Sequence, residues 1–165
     1  DQRFLAYALK VVGDDNTVYL KKPMSSSELG QSIRSAEAFL NRMEAYALSG
    51  EEGLALAELN AFRKTRVIGY TDVNLSGQTL LDEIRLERRK ELCFEGHRWF
   101  DLRRQGMPEI KHTYKAEKGG AVYEYVLQQG DPMYTLPFPN SVVLQNRALV
   151  QNPSREMGAR QGEIQ

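Results

Sequence analysis

The chain has 165 residues, 41% of them hydrophobic and 27% charged, with 22 basic side chains balanced by 22 acidic ones, enough for one ordinary soluble domain with a core of its own. The balanced charge argues against nucleic acid or a membrane surface recognised through bulk field, and no apolar run is long enough to span a bilayer. A single cysteine, Cys93, excludes an internal disulfide framework and a zinc-knuckle pattern.

The chain opens on "DQRFLAYALKVV" without an initiator methionine, as expected of a mature or cut-down chain from which any targeting segment would be missing. Two apolar, β-favouring runs flank Gly13-Asp14-Asp15-Asn16, so residues 1–23 are expected to form a hairpin that Pro23 ends. Serines in "MSSSELG" offer helix caps, and Ile33, Ala36, Leu40, Met43 and Ala47 then recur at helical spacing. After the break "LSGEEG", a second stripe of Leu54, Ala57 and Ala61 beside Ala55, Leu59 and Phe62 completes a helix pair over 27–67. Two alanine-rich antiparallel helices joined by a short turn look like a tetratricopeptide-type unit. Such a unit buries both faces only by stacking on neighbours, supplied by a later helix or from outside this chain.

The loop "GYTDVNLSGQ" leads into a long helix expected over 79–105, with Leu80, Leu81, Ile84, Leu92, Trp99 and Leu102 on its apolar side and Gly106 and Pro108 stopping it. Gly96 inside it marks a bend or a close backbone approach. "IKHTYKAEKGGAVYEYVLQQGDP" alternates around Lys118-Gly119-Gly120 and predicts a second hairpin over 110–128. The prolines of "MYTLPFPNSVVLQNRALVQNPS" predict an extended, wrapping segment over 133–153 with one helical turn near 140–146. No apolar pattern organises 154–165, which is expected to be a mobile tail. Residues 1–153 are thus expected to form a single domain.

The stretch "ELCFEGHRWFDLRR" looks most like chemistry. Cys93 and His97 stand four apart, but a cysteine between Leu92 and Phe94 reads as a small core residue with no carboxylate to orient a dyad. Glu91 and Glu95 face one way on a straight helix and His97 and Asp101 nearly the opposite way, and the spacing is neither HExxH nor ExxH, so a metal set does not converge. Glu91 and Glu95 on adjacent turns enclose no cleft for a hydrolytic acid and base pair. The arginines and Lys90 of the same helix are interleaved with acids that cancel their field, so they form no phosphate stripe.

Glu83, Glu87, Glu91 and Glu95 repeat every fourth residue, a ridge of like charge that requires cationic partners across a packing interface. Arg63 and Arg66 are the expected partners. Tyr70, Tyr114, Tyr123 and Tyr125 are the type of residue that stacks on sugar faces, and alternating tyrosines also pair across strands.

"DEIRLERRKELCFEGHRWFDLRRQG" resembles the I-x-x-E-R-R-x-E-L-x-F-E-G-x-R-W-F-D-L-x-R signature of the SusD/RagB family of Bacteroidota outer-membrane lipoproteins, with Glu87, Arg88, Glu91, Glu95, Gly96, Arg98, Trp99 and Asp101 in register. "ELNAFRKTR" is similar to the family's L-N-x-x-R-x-R, placing Asn60, Arg63 and Arg66. "LPFPNSVVLQNRALVQNPS" is similar to its closing L-P-x-P-x-S-E-x-x-x-N-x-x-L-x-Q-N-P-G, with Val142 where an acid is usual and Ser154 where a glycine is usual. The resemblance implies a mainly α, tetratricopeptide-like helical-repeat fold with small hairpins and an extended closing segment, here a C-terminal portion of a longer protein. It implies non-catalytic capture of glycans or other nutrients at the outward face of the outer membrane, reached through a lipid anchor not in this chain. A SusC-like TonB-dependent transporter would be the partner. No catalytic residue, cofactor, metal or nucleic acid is expected, and no ligand-binding residue carries over. Arg63, Arg66, Glu87, Arg88, Glu91, Glu95, Gly96, Arg98, Trp99 and Asp101 are expected to be structural. The alternative is a helical-repeat scaffold that binds a protein and no small molecule.

Overall fold

A computed structural model of the protein describes residues 1–3, 8–10, 18–20, 34–156 and 162–164. The chain divides into two compact units, Asp1–His97 and Arg98–Gln165, and the fold is mainly α-helical with small antiparallel sheets.

In the first unit, β1 (Ala8–Lys10) and β2 (Val18–Leu20) pair antiparallel with Leu9 opposite Tyr19. The helix pair follows as α1 (Ser35–Leu48) and α2 (Glu52–Lys64); the expected serine caps lie outside the described residues. Between them Gly50 takes φ +86°, a left-handed turn that costs glycine no Cβ clash, and the Glu51 N–H donates back to the Tyr46 carbonyl at 2.9 Å. The helical spacing then does its work. Ala36, Leu40 and Met43 of α1 and Ala55, Leu59 and Phe62 of α2 are buried together, and α3 (Gly77–Glu91) adds Leu80 and Ile84 to the same core. A later helix of this chain therefore covers one face of the pair.

Buried Asn60 holds the loop that returns the chain to α3. Its Nδ2 donates to the Val73 carbonyl at 3.0 Å, and its Oδ1 accepts from the Val73 N–H at 3.0 Å and the Tyr70 hydroxyl at 2.8 Å. The Glu52 carboxylate accepts from the Gly77 N–H at 3.1 Å, placing negative charge at the start of α3, where the helix dipole favours it.

The single helix expected over 79–105 is two. α3 stops at Glu91 and α4 spans His97–Arg104. Phe94 and Gly96 both have positive φ, +63° and +82°, and a left-handed residue cannot continue a right-handed helix. Gly96 marks the break through its backbone conformation alone, since a Cβ built there meets nothing within 4 Å.

In the second unit, Leu102 of α4 is buried, and the Trp99 ring stacks on buried Tyr134 with centroids 4.9 Å apart. Gly106 at φ +94° ends the helix, with the Met107 N–H donating to the Leu102 carbonyl. β3 (Ile110–Lys115) and β4 (Val122–Leu127) form the expected hairpin. β5 (Glu163–Ile164) adds a third antiparallel strand on the other side of β4, inside the stretch read from sequence as a tail.

The closing segment contains α5 (Asn140–Gln145) and is otherwise irregular. Its backbone is clamped by polar side chains: Gln151 both donates to and accepts from the Phe138 main chain, Asn152 donates to the Leu136 carbonyl, and buried Ser154 donates to the Thr135 carbonyl at 2.5 Å. These side chains replace the missing secondary-structure bonds of an extended chain. Ser154, read as the first residue of the tail, is part of that clamp.

Candidate functional site

The carboxylate ridge is the most concentrated chemistry in the chain. Side chains of Glu87 and Glu91 are 1% exposed. Arg63, at the end of α2, donates from Nε to Glu87 at 2.7 Å and from Nη2 to Glu83 at 2.5 Å. Arg66 grips Glu91 through Nε and Nη2, both at 3.0 Å, the bidentate geometry that suits a planar guanidinium. The ridge therefore meets the two arginines expected from sequence, and two more besides. Arg34, the residue before α1, donates to Glu91 at 2.5 Å and also to Glu95, while Arg3 lies 2.6 Å from Glu87 and 3.3 Å from Glu91. Neither had a local sequence signal, since Arg3 is 88 residues from Glu91 and Arg34 is 57.

Other pairs fasten α3 to α1: Arg85 donates to buried Glu44 at 3.0 Å, and Arg88 donates to Asn41 at 2.7 Å and Glu37 at 3.4 Å. Electrostatics follow the packing. Burial pushes the Glu91 carboxyl up, but the hydrogen bond from Arg66 and the charges of Arg66, Arg34 and Arg3 outweigh it, leaving the group below the usual carboxylate range. Burial works against the Arg63 cation too, and its bonds with Glu83, Glu87 and Tyr70 reverse that and raise it. A carboxylate held in this way is a weak base and a weak nucleophile, and its bonds tie α3 to Arg66 beyond α2 and Arg34 before α1.

The break after α3 also separates the other candidates. Cys93 is half-buried within it and His97 starts α4, so they do not share one helical face as expected; His97 Nδ1 lies 3.6 Å from Glu37 instead. Asp101 is buried and accepts from Arg104 at 3.0 Å. Among the described residues, no three His, Cys, Asp or Glu side chains group around a metal-sized space, and no helix is long and apolar enough to cross a membrane.

Among the described residues, a groove and a sheet face are open to solvent. Between α1 and α2 runs a groove of about 480 Å³, lined by Phe39, Phe62, Arg42, Arg66 and Glu58; the Arg42 guanidinium sits 5.0 Å over the Phe39 ring and that of Arg66 4.5 Å over Phe62. On the sheet, Tyr114 is opposite Tyr123 and His112 opposite Tyr125, with Tyr114 56% and Tyr125 36% exposed. Tyr70 is committed elsewhere, to Asn60.

A family model described as the SusD family matches residues 10–154. Among solved structures, the chain is similar to a SusD-like protein from Bacteroides fragilis, with 26% identity and a TM-score of 0.53 over 72% of this chain and 24% of that one. It is also similar to a SusD-like carbohydrate binding protein from Bacteroides vulgatus, with 25% identity and a TM-score of 0.48 over 71% of this chain and 29% of that one. The chain thus spans 24% and 29% of the length of these two proteins. No curated protein matches it.

Proposed function

The chain belongs to the SusD family, and from that premise we propose that it is part of a non-catalytic binding protein at the outward face of the outer membrane. Its role in this reading is to capture glycans or other nutrients and pass them to a SusC-like TonB-dependent transporter. The observation that carries the proposal is the family match across residues 10–154. The ridge agrees with it, because Glu87 and Glu91 are each engaged by more than one arginine and neither is available as a catalytic base. Calorimetric titration of soluble oligosaccharides and peptides into the intact protein tests capture; heat of binding with no turnover of the ligand is expected. Co-purification with the transporter from outer-membrane extracts tests delivery. Release of hydrolysed product, or no binding to any sugar or peptide, would refute the reading.

A scaffold that binds only protein is the second reading, and the open groove between α1 and α2 favours it. Recovery of a protein partner without affinity for any soluble nutrient would establish the scaffold in place of the capture protein.

A further inference from the structure

We propose that the tyrosine face of the β3–β4–β5 sheet is a carbohydrate-stacking platform; the inference rests on the nutrient-capture reading and gives it a place in this chain. Side chains alternate across a strand, so the register puts His112, Tyr114, Tyr123, Tyr125 and Ile164 on one side of the sheet together with Gly162. Lys111, Lys115, Glu124 and Glu163 fall on the opposite side. Ile110 and Leu127 join the first side and Thr113, Val122 and Val126 the second, so the formal charges of the strands lie on one side and the rings on the other.

The ring of Tyr125 has a particular placement. A Cβ built on Gly162 would lie 2.8 Å from its Cε2 and Cζ and 2.8 Å from the Tyr123 Cβ. The ring therefore occupies the space a side chain at 162 would fill, packed over the backbone of the last strand, with 36% of the residue still open to solvent. Tyr114 is 56% exposed and Ile164 is 71% exposed. Successive same-face residues on a strand are about 6.8 Å apart and neighbouring strands about 4.8 Å apart, so three strands make a platform wide enough for one or two pyranose rings.

The chemistry selects the occupant. A charged ligand finds no formal counter-charge among the tyrosines and Ile164, and a purely apolar partner would strand three phenol hydroxyls and an imidazole away from water. A sugar ring satisfies both demands, with its C–H face against a tyrosine ring and its hydroxyls bonded to phenol and imidazole at the rim.

The test is aromatic-proton NMR of the intact chain titrated with maltohexaose, cellohexaose, xylohexaose and mannohexaose. At least one sugar is expected to shift the Tyr114 and Tyr125 ring signals saturably. Tyr125→Leu, which keeps an apolar strand residue, should weaken that binding about tenfold, the value of one lost ring contact. Gly162→Ala keeps every tyrosine but forces the Tyr125 ring aside and should weaken binding as well, while Tyr70→Phe should not. Circular dichroism of each variant checks that the fold survives. Sugar binding unchanged in both Tyr125→Leu and Gly162→Ala would overturn the platform and leave nutrient capture standing. If none of the sugars binds the wild-type chain, the platform fails, while nutrient capture stands or falls on the calorimetric titration of the intact protein with sugars and peptides. Self-association that Tyr114→Leu abolishes, without any response to sugar, would assign the face to a second copy and overturn the platform alone.

Discussion

Replacing Arg63 by methionine tests whether the buried ion pairs hold the helices of the first unit. The methionine keeps most of the stem and removes the guanidinium from two carboxylates of unequal standing. Glu83 is 35% exposed, so water replaces its lost partner and that half of the contact counts for about 0–1 kcal/mol. Glu87 is 1% exposed and loses the 2.7 Å bond from Nε. Breaking a buried pair from one side costs about 3–5 kcal/mol, because the other charge is left desolvated. Arg3, 2.6 Å from Glu87, remains and compensates in part, which places the expected loss near the lower end, about 3 kcal/mol. With a urea slope of about 1–3 kcal/mol per molar, the midpoint followed by circular dichroism should fall by about 1–3 M. The reasoning predicts more than a loss. In Arg63→Met/Glu87→Leu the orphaned charge is gone, and Arg3 still has Asp1 and Glu91, so the double variant should be more stable than Arg63→Met alone. An unchanged midpoint for Arg63→Met would refute the claim that the pair matters. A double variant as unstable as the sum of its singles would refute the claim that the cost comes from the stranded Glu87 carboxylate.

Three further outcomes follow from the geometry. The folded-state carboxyl of Glu91 lies below its ordinary range, so its stabilising contribution is complete above the usual carboxylate pKa and is lost as pH falls through the lowered value; Glu91→Gln should flatten the acid limb of a stability profile, and parallel profiles for the two proteins would contradict this. Gly96→Ala forces a Cβ into a φ of +82° with no steric neighbour to blame, so urea titration should show a loss of about 1–2 kcal/mol from backbone conformation alone. Tyr134→Phe keeps the ring stacked on Trp99 but removes the hydroxyl that donates to the Pro108 carbonyl at 2.5 Å; a loss of about 1 kcal/mol is expected with the emission of Trp99, the chain's one tryptophan, unchanged. A red shift of that emission would mean that the hydroxyl, and not packing, positions the stack.

Much of the first unit was legible because its order is periodic and local. The 3,4 spacing of Ala36, Leu40 and Met43 could only be one buried helical face, and four glutamates at every fourth position could only be tolerated beside cations. What escaped was non-local or conformational. Arg3 and Arg34 reach Glu91 from far along the chain, and nothing in their own neighbourhood announces it. The break after α3 turns on Phe94 taking φ +63°, a choice no propensity assigns to phenylalanine. β5 has two residues and no alternation to read, and its pairing with β4 is visible only in the register that brings Gly162 beneath the Tyr125 ring.

That contrast locates function by physical argument. Residues 91–104 hold cysteine, histidine, tryptophan and several carboxylates, the mixture a reader of sequence scans for catalysis. Yet a group can act on a ligand only if its bonding capacity is not already spent. Glu91 accepts from Arg34 and Arg66 and lies against Arg3, Glu95 accepts from Arg34, and Asp101 from Arg104. The sheet tyrosines are the reverse case. Tyr114 and Tyr125 sit in a stretch with no motif, and both residues stay partly exposed, which gives up some of the hydrophobic gain available to a buried aromatic. In this chain the density of reactive residue types coincides with ion-paired packing, and the exposed tyrosines are where the proposed platform is to be tested.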